Sequence, residues 1–250
     1  MSYDTLGDRM KRFERVSEHY LMRRTPVIIR IDGKAFHTLT ASLTDRFDTR
    51  MHSCMTATME SLCSSIQGAI LGYTQSDEIS ILVRDWDTIK TEAWFDYRQN
   101  KMESVAASIA TVAFNRHVST IPEFQLKSAM FDARAFNLPK EEVVNYFRWR
   151  IQDAERNSIQ THGRSVFSHK QLLGKSNPEV ITMLDQVGNS WQLLDAWKKR
   201  GTFWVNNSAI QSYNELYCTC NANGIDEQIP LNTANKTYIE YAMEYVAEPA

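Results

Sequence analysis

Ala69-Ile70-Leu71-Gly72-Tyr73-Thr74-Gln75-Ser76-Asp77-Glu78-Ile79-Ser80-Ile81-Leu82-Val83 is the stretch on which the fold turns. Two apolar runs, about Ala69 to Thr74 and Ile79 to Val83, flank the polar Gln75-Ser76-Asp77-Glu78. That pattern predicts two strands joined by a tight hairpin. Upstream, Asp48 is a good N-cap, and Met51, Met55, Met59, Leu62 and Ile66 follow at spacings of four, four, three and four. This predicts a helix whose sulfur-rich stripe is core, with Gly68 as its C-terminal stop. Before it, Val27-Ile28-Ile29-Arg30-Ile31 reads as a mostly buried strand that ends in Asp32-Gly33. Residues 4 to 23 read as an opening helix with Leu6, Met10, Phe13, Val16 and Tyr20 on one face.

Downstream, Asn100 and Glu103 have capping-box spacing. They predict a helix that carries Met102, Val105, Ile109, Val112 and Ala113. A short strand is expected over Ala129 to Arg134. Pro139 then sits at the first turn of a long helix to about Gln160, with Val143, Phe147, Ile151, Ala154 and Ser158 inward. Strand, helix, strand, strand, helix, strand is the split βαβ order. It predicts a ferredoxin-like α/β (α+β) domain, an antiparallel sheet with helices on one face. Residues 1–135 are expected to form that catalytic domain. Residues 136–250 are read as a helical and mixed C-terminal extension packed on it, including a strand at Gly201 to Val205.

With 28 Lys plus Arg against 30 Asp plus Glu, the chain has a formal charge of −2, which argues against a polybasic nucleic-acid binder. The charge is uneven. Residues 1–200 hold 27 basic and 24 acidic side chains, and residues 201–250 hold 1 and 6. The acidic end is expected to lie away from any RNA path. No apolar run approaches ~18 residues, so no membrane span is expected. No secretory signal is visible, and a cytoplasmic protein with reduced thiols is expected. Cys218-Thr219-Cys220 lacks the second ligand pair of a zinc site.

In the expected topology, Asp32 at the end of the first strand and Asp77 at the hairpin come to one edge of the sheet. Two carboxylates there, beside a glycine that permits close approach, suit Mg²⁺. A pair of such ions can serve phosphoryl transfer. Gly33-Lys34-Ala35-Phe36-His37 supplies successive N–H groups that can cradle a triphosphate, and Arg30 and Lys34 add positive charge. Both signals also have ordinary counterparts, since Asp-Gly is an everyday turn and Ser-Asp-Glu an everyday hairpin tip. Glu78 alternates away from Asp77, so Asp77 is favoured as the ligand. Arg148, Arg150 and Arg156 on the long helix form either a solvated face or a phosphate surface. Trp149, Trp191, Trp197 and Trp204 are read as core or interface.

Arg30-Ile31-Asp32-Gly33-Lys34-Ala35-Phe36-His37 and Tyr73-Thr74-Gln75-Ser76-Asp77-Glu78-Ile79-Ser80, in this order, strongly resemble the tRNA-His guanylyltransferase family. Phe131-Asp132-Ala133-Arg134, Trp149-Arg150 and Arg200-Gly201-Thr202 match as well. The resemblance implies a polymerase-palm domain and 3′-to-5′ nucleotide addition to tRNA after ATP activation of the 5′ end. It also implies two Mg²⁺ ions held by Asp32, Gly33 and Asp77. A nucleoside triphosphate (ATP, GTP or another) would lie along Arg30, Asp32, Gly33, Lys34, Ala35, Phe36, His37, Ser76 and Asp77. Lys101, Arg156 and Asn157, with Arg98, are candidates for a second nucleotide or the tRNA. A homotetramer is expected from the same resemblance.

The chain departs from the eukaryotic HINNLYN motif, for which it has Glu155-Arg156-Asn157-Ser158-Ile159-Gln160-Thr161. This resembles the bacterial and archaeal guanylyltransferase-like branch, associated with template-dependent repair of truncated tRNA 5′ ends. Addition of G to tRNA-His stays open beside it. Asp45 aligns near a phosphate-contacting Lys of the family, and Arg46 is the cation available to replace it. The alternatives are a nucleotide cyclase, which shares a palm and paired Asp, and a non-catalytic RNA-binding protein.

Overall fold

A computed structural model describes residues 4–43, 45–124, 127–206 and, as backbone, 225–226. The elements run α1 (Leu6–Arg15), β1 (Val27–Gly33), α2 (Phe36–Leu39), α3 (Thr49–Ser65), β2 (Ala69–Gln75) and β3 (Glu78–Val83). They continue with α4 (Gln99–Val118), β4 (Phe131–Asn137), α5 (Val143–Val166), α6 (His169–Leu172), α7 (Asn177–Gln186), α8 (Ala196–Arg200), β5 (Thr202–Val205) and β6 (Ile225–Asp226). The strands form one antiparallel sheet in the order β4-β1-β3-β2-β5-β6. The first four strands have the expected ferredoxin-like arrangement, and the C-terminal extension continues the sheet through β5.

The near-continuous apolar runs of β1, β2 and β3 follow from cover on both faces. On one face, Val27, Ile29 and Ile31 pack with Ile79, Ile81 and Val83 against α3 and α4. Met55, Met59 and Leu62 of the methionine stripe are buried there, as expected. The α3 N-cap is Asp48, whose carboxylate accepts from the Arg50 and Met51 N–H groups. On the opposite face, Ile28, Leu82, Leu71, Tyr73 and Phe203 pack against Val143, Tyr146, Phe147 and Ile151 of α5. The palm helices therefore share one face, and the extension covers the other.

Three local expectations are corrected. The opening helix is Leu6–Arg15, closed at its start by a Thr5–Asp8 capping box. Residues beyond it run instead along the start of α4, where Tyr20 bridges Arg98 and the Gln99 N–H donates to the His19 carbonyl. Its apolar face packs on nothing in the described chain, and Leu6, Phe13 and Val16 are exposed. The N-cap of α4 is Arg98, with no side-chain cap bond. Asn100 donates to the Ser17 carbonyl and Glu103 accepts from the Ala135 N–H, so tertiary partners win over the local capping box. Val112 is exposed, while Ala106, Ala110 and Phe114 turn inward.

β4 is an edge strand, and α4 closes it with side chains. Glu103, Thr111 and Asn115 accept from the N–H groups of Ala135, Phe131 and Ala129. Gln99 and Asn115 donate to the carbonyls of Ala135 and Ala129. Cys54 and Cys63 are free thiols in the core. Cys218, Cys220 and nearly all of the acidic C-terminal segment lie outside the described residues.

Candidate active site

Asp32 is the penultimate residue of β1 and Asp77 sits in the two-residue turn between β2 and β3. The Gly33 N–H donates to the Asp77 carbonyl at 3.1 Å, which ties the two acidic segments together. Ser76 takes a left-handed backbone, φ +52°, and its hydroxyl donates to the Asp77 carboxylate at 3.0 Å. Burial raises the Asp77 pKa above its ordinary value, and the Asp32 charge pushes the same way. Two like-charged oxygen groups at one edge of the sheet fit a hard divalent cation. Among the described residues, no group of three or more His, Cys, Asp or Glu side chains is placed to hold a metal. Any ion here would complete its shell with backbone, nucleotide or water oxygens, as Mg²⁺ commonly does.

Gly33 is required by packing. A Cβ there would lie 2.3 Å from the Phe36 ring, which is itself held between Phe114 and Phe131. Ala35 adopts φ +55° to start α2. The Gly33 and Lys34 N–H groups are engaged within the protein, Lys34 with the Met130 carbonyl at 2.8 Å. In the first turn of α2, the N–H groups of Ala35, Phe36 and His37 have no intrahelical acceptors. Lys34, Ala35 and His37 are exposed around it.

Strand alternation puts Arg30 and Asp32 on the α5 face, and the register aligns them with residues of both neighbours. Asp132, Asp32 and Glu78 form one cross-strand row, and Arg134, Arg30 and Ser80 the next. Arg30 pairs with Glu78 at 2.6 Å and Asp32 at 3.2 Å. Burial works against the Arg30 charge, but Glu78 and Asp32 outweigh it and raise its pKa. Glu78 also meets Arg150 of α5 at 2.8 Å. Burial raises the Glu78 pKa even against these two cations. Sequence alternation could have grouped Arg30, Asp32 and Glu78. The part played by Arg150 needed the packing of α5.

Arg156 and Asn157 lie midway along α5, and both reach Asp153, at 3.1 and 3.3 Å. Glu155 pairs with Arg200 of α8 at 3.0 Å. Lys101 is not brought to this group. It lies over the Phe95 ring at the start of α4, and Arg98 beside it pairs with Glu18. That region adjoins Ala135, toward the opposite end of β4 from Phe131. Trp191 is buried and donates to Ser158, Trp197 stacks on His52 at 4.1 Å, and Trp149 is half exposed.

Residues 7–139 match the family described as tRNAHis guanylyltransferase. The chain belongs to that family. Its members are nucleotidyltransferases that add G to the 5′ end of tRNA-His. The tRNA(His) guanylyltransferase of Schizosaccharomyces pombe is 32% identical over 224 residues, covering 82% of each chain. A bacterial tRNA(His) guanylyltransferase-like protein in complex with ATP is 37% identical, with a TM-score of 0.86 over 96% of this chain and all of that one. One in complex with GTP is 35% identical, with a TM-score of 0.76 over the same shares. The family match ends near the close of β4 and so spans both carboxylates and all four palm strands. Among the described residues, no helix is long and apolar enough to cross a membrane.

Proposed function

We propose that this protein is a Mg²⁺-dependent 3′–5′ nucleotidyltransferase that extends the 5′ ends of truncated tRNAs against the paired strand. The observation that carries this reading is the pair Asp32 and Asp77, joined through the Gly33–Asp77 backbone bond beside the first turn of α2. Glu155, standing where eukaryotic members carry the leading His of HINNLYN, supports the repair branch over strict addition of one G to tRNA-His. Asp32, Asp77 and the Gly33 carbonyl would hold two Mg²⁺ ions. Bound there, the ions would supply acidity to the attacking hydroxyl and neutralise leaving-group charge.

The chain's own residues position and screen. The first turn of α2, with Lys34 and His37 exposed beside it, receives the triphosphate. Ser76 orients Asp77, and Arg30 balances the carboxylate row. Arg156 and Asn157 offer polar groups to a second nucleotide or to the tRNA end. By family resemblance, a 5′-monophosphate is first adenylylated by ATP with loss of pyrophosphate. The 3′-OH of the incoming nucleotide then attacks that phosphorus and AMP leaves. Pairing with the opposite strand selects the nucleotide. A cytoplasmic homotetramer is proposed on the same resemblance, and sedimentation at working concentration checks the assembly.

The test incubates the protein with labelled 5′-truncated tRNA, ATP, GTP and Mg²⁺. Extension by the templated nucleotide is expected. Asp32→Ala and Asp77→Ala should each cut it by roughly 10³-fold while tRNA binding remains. A folded parent that extends no tRNA would overturn the proposal. Cyclic nucleotide made without tRNA would indicate a cyclase instead. Full-length tRNA-His run alongside separates repair from G addition.

A further inference from the structure

Between the sheet and α5 lies a chain of polar side chains whose middle members, Glu78, Arg150 and Asp153, the phosphoryl-transfer scheme does not use. It runs from Asp32 to Arg30 at 3.2 Å, from Arg30 to Glu78 at 2.6 Å, and from Glu78 to Arg150 at 2.8 Å. It continues from Arg150 to Asp153 at 2.9 Å, and from Asp153 to Arg156 and Asn157. Arg150 joins its sheet half to its helix half. The residue is 4% exposed, and its guanidinium lies 4.4 Å from the Trp149 ring centroid. Glu78 is bonded in sequence to Asp77, so whatever fixes Glu78 also fixes the turn that presents Asp77.

Stability alone gives little reason for an arginine here. Tyr146, Phe147 and Ile151 already seat α5 on an apolar face, and Tyr146 adds a 2.8 Å bond to Ser80. A buried ion pair at such an interface is often no more stabilising than apolar side chains of similar volume. What Arg150 adds is direction. Its Nη2 lies 2.8 Å from the Glu78 carboxylate and 2.9 Å from that of Asp153, so one guanidinium on a stem packed at Trp149 spans carboxylates of two different elements.

We propose that Arg150 is a positioning residue, which locks the Asp77 turn to the Arg156–Asn157 segment of α5 through Glu78 and Asp153. This rests on the function proposed above, in which those two places face the same reaction. A rigid link between them sets the distance between the group that attacks and the group that is attacked. Displacements of about 1 Å in such geometry cost on the order of 10²-fold in rate.

The experiment uses the full chain and three variants, Arg150→Met, Arg150→Lys and the pair Arg150→Met with Asp153→Asn. Thermal unfolding, direct ATP binding and steady-state kcat and KM for truncated tRNA are measured for each. Arg150→Met should still fold, at a lowered Tm because Glu78 and Asp153 lose a buried partner while keeping Arg30 and Arg156, and should bind ATP within about 3-fold of the parent. Its kcat should fall by about 30- to 100-fold, with KM changed far less. Arg150→Lys keeps the charge but on a flexible stem without the planar guanidinium at Trp149, and should recover only part of kcat. The paired variant should be no slower than Arg150→Met alone, because both remove one link. A folded Arg150→Met with kcat within 3-fold of the parent would overturn the proposal, and so would a paired variant clearly slower than Arg150→Met alone. Should Arg150→Met not fold, parent-like kcat in folded Arg150→Lys would overturn it. An inactive parent would sink the functional reading instead, and the two failures are told apart by the parent alone.

Discussion

At the scale of single residues, the site works against the stability of the fold. Burial and the neighbouring Asp32 raise the pKa of Asp77 above its unfolded value. The sign follows from linkage. A carboxyl raised in this way favours the folded state while protonated, below its unfolded pKa, and that contribution is lost as pH rises through the folded value. The metal-free protein should therefore gain a few degrees in Tm at neutral pH from Asp77→Asn, while nucleotide addition is abolished. Calorimetry with a chelator present checks the first part. Gly33→Ala must displace the Phe36 ring from between Phe114 and Phe131, at about 1–3 kcal/mol, which denaturant unfolding would show. Asp32 and Asp77 were legible in the sequence, because a carboxylate at a strand end and one at a hairpin tip are fixed by local pattern. Which N–H groups of Gly33 to His37 remain for a phosphate was not legible, because Asp77 and Met130 claim two of them across the sheet.

At the scale of elements, apolar pattern placed α3, β1, β2 and β3 where they are, while β4 lies at Phe131–Asn137 rather than Ala129 to Arg134 and α5 runs from Val143 to Val166 rather than from Pro139 to Gln160. Buried stripes repeat at 3.6 or 2 residues whatever the partner. The failures occur where a polar group has two suitors. Glu103 has the spacing to cap α4, yet it serves the Ala135 N–H, since an unpaired buried N–H costs more than an exposed helix end. Glu103→Ala should cost about 1–3 kcal/mol and speed amide exchange at Ala135 before other β4 amides, measured by hydrogen exchange. Ser158→Ala on α5 removes the acceptor of the buried Trp191 indole N–H and should cost a similar amount by the same logic, with α7 loosening first. The end of α1 at Arg15 was missed because helical periodicity continued past it, while the chain turns there to run along α4.

At the scale of the whole molecule, the net charge of −2 says less than its distribution. Residues 1–200 carry a net of +3, from 27 basic and 24 acidic side chains. If tRNA is held through this body, affinity must fall with salt, with a log–log slope of about −0.7 to −0.9 per phosphate neutralised. Filter binding from 50 to 200 mM salt checks this, and a flat dependence would contradict it. β5 was readable as a strand, but its place in the sheet was not, since four residues announce a strand and not its neighbour. Gly201 makes the junction possible, since a Cβ there would lie 2.4 Å from the Thr74 carbonyl.

The β2 strand, buried along nearly all of Ala69–Gln75, has β3 on one side and only β5 on the other. During synthesis, β2 is made about 130 residues before β5. At roughly 5–20 residues per second, the ribosome leaves that apolar edge open for several seconds to half a minute. The opposite edge is sealed far sooner, because α4 precedes β4 and its side chains are waiting when that strand arrives. A nascent chain of this protein is thus exposed to association along one side only. Anything that slows translation between Asn137 and Thr202 lengthens the period in which newly made copies can pair through β2.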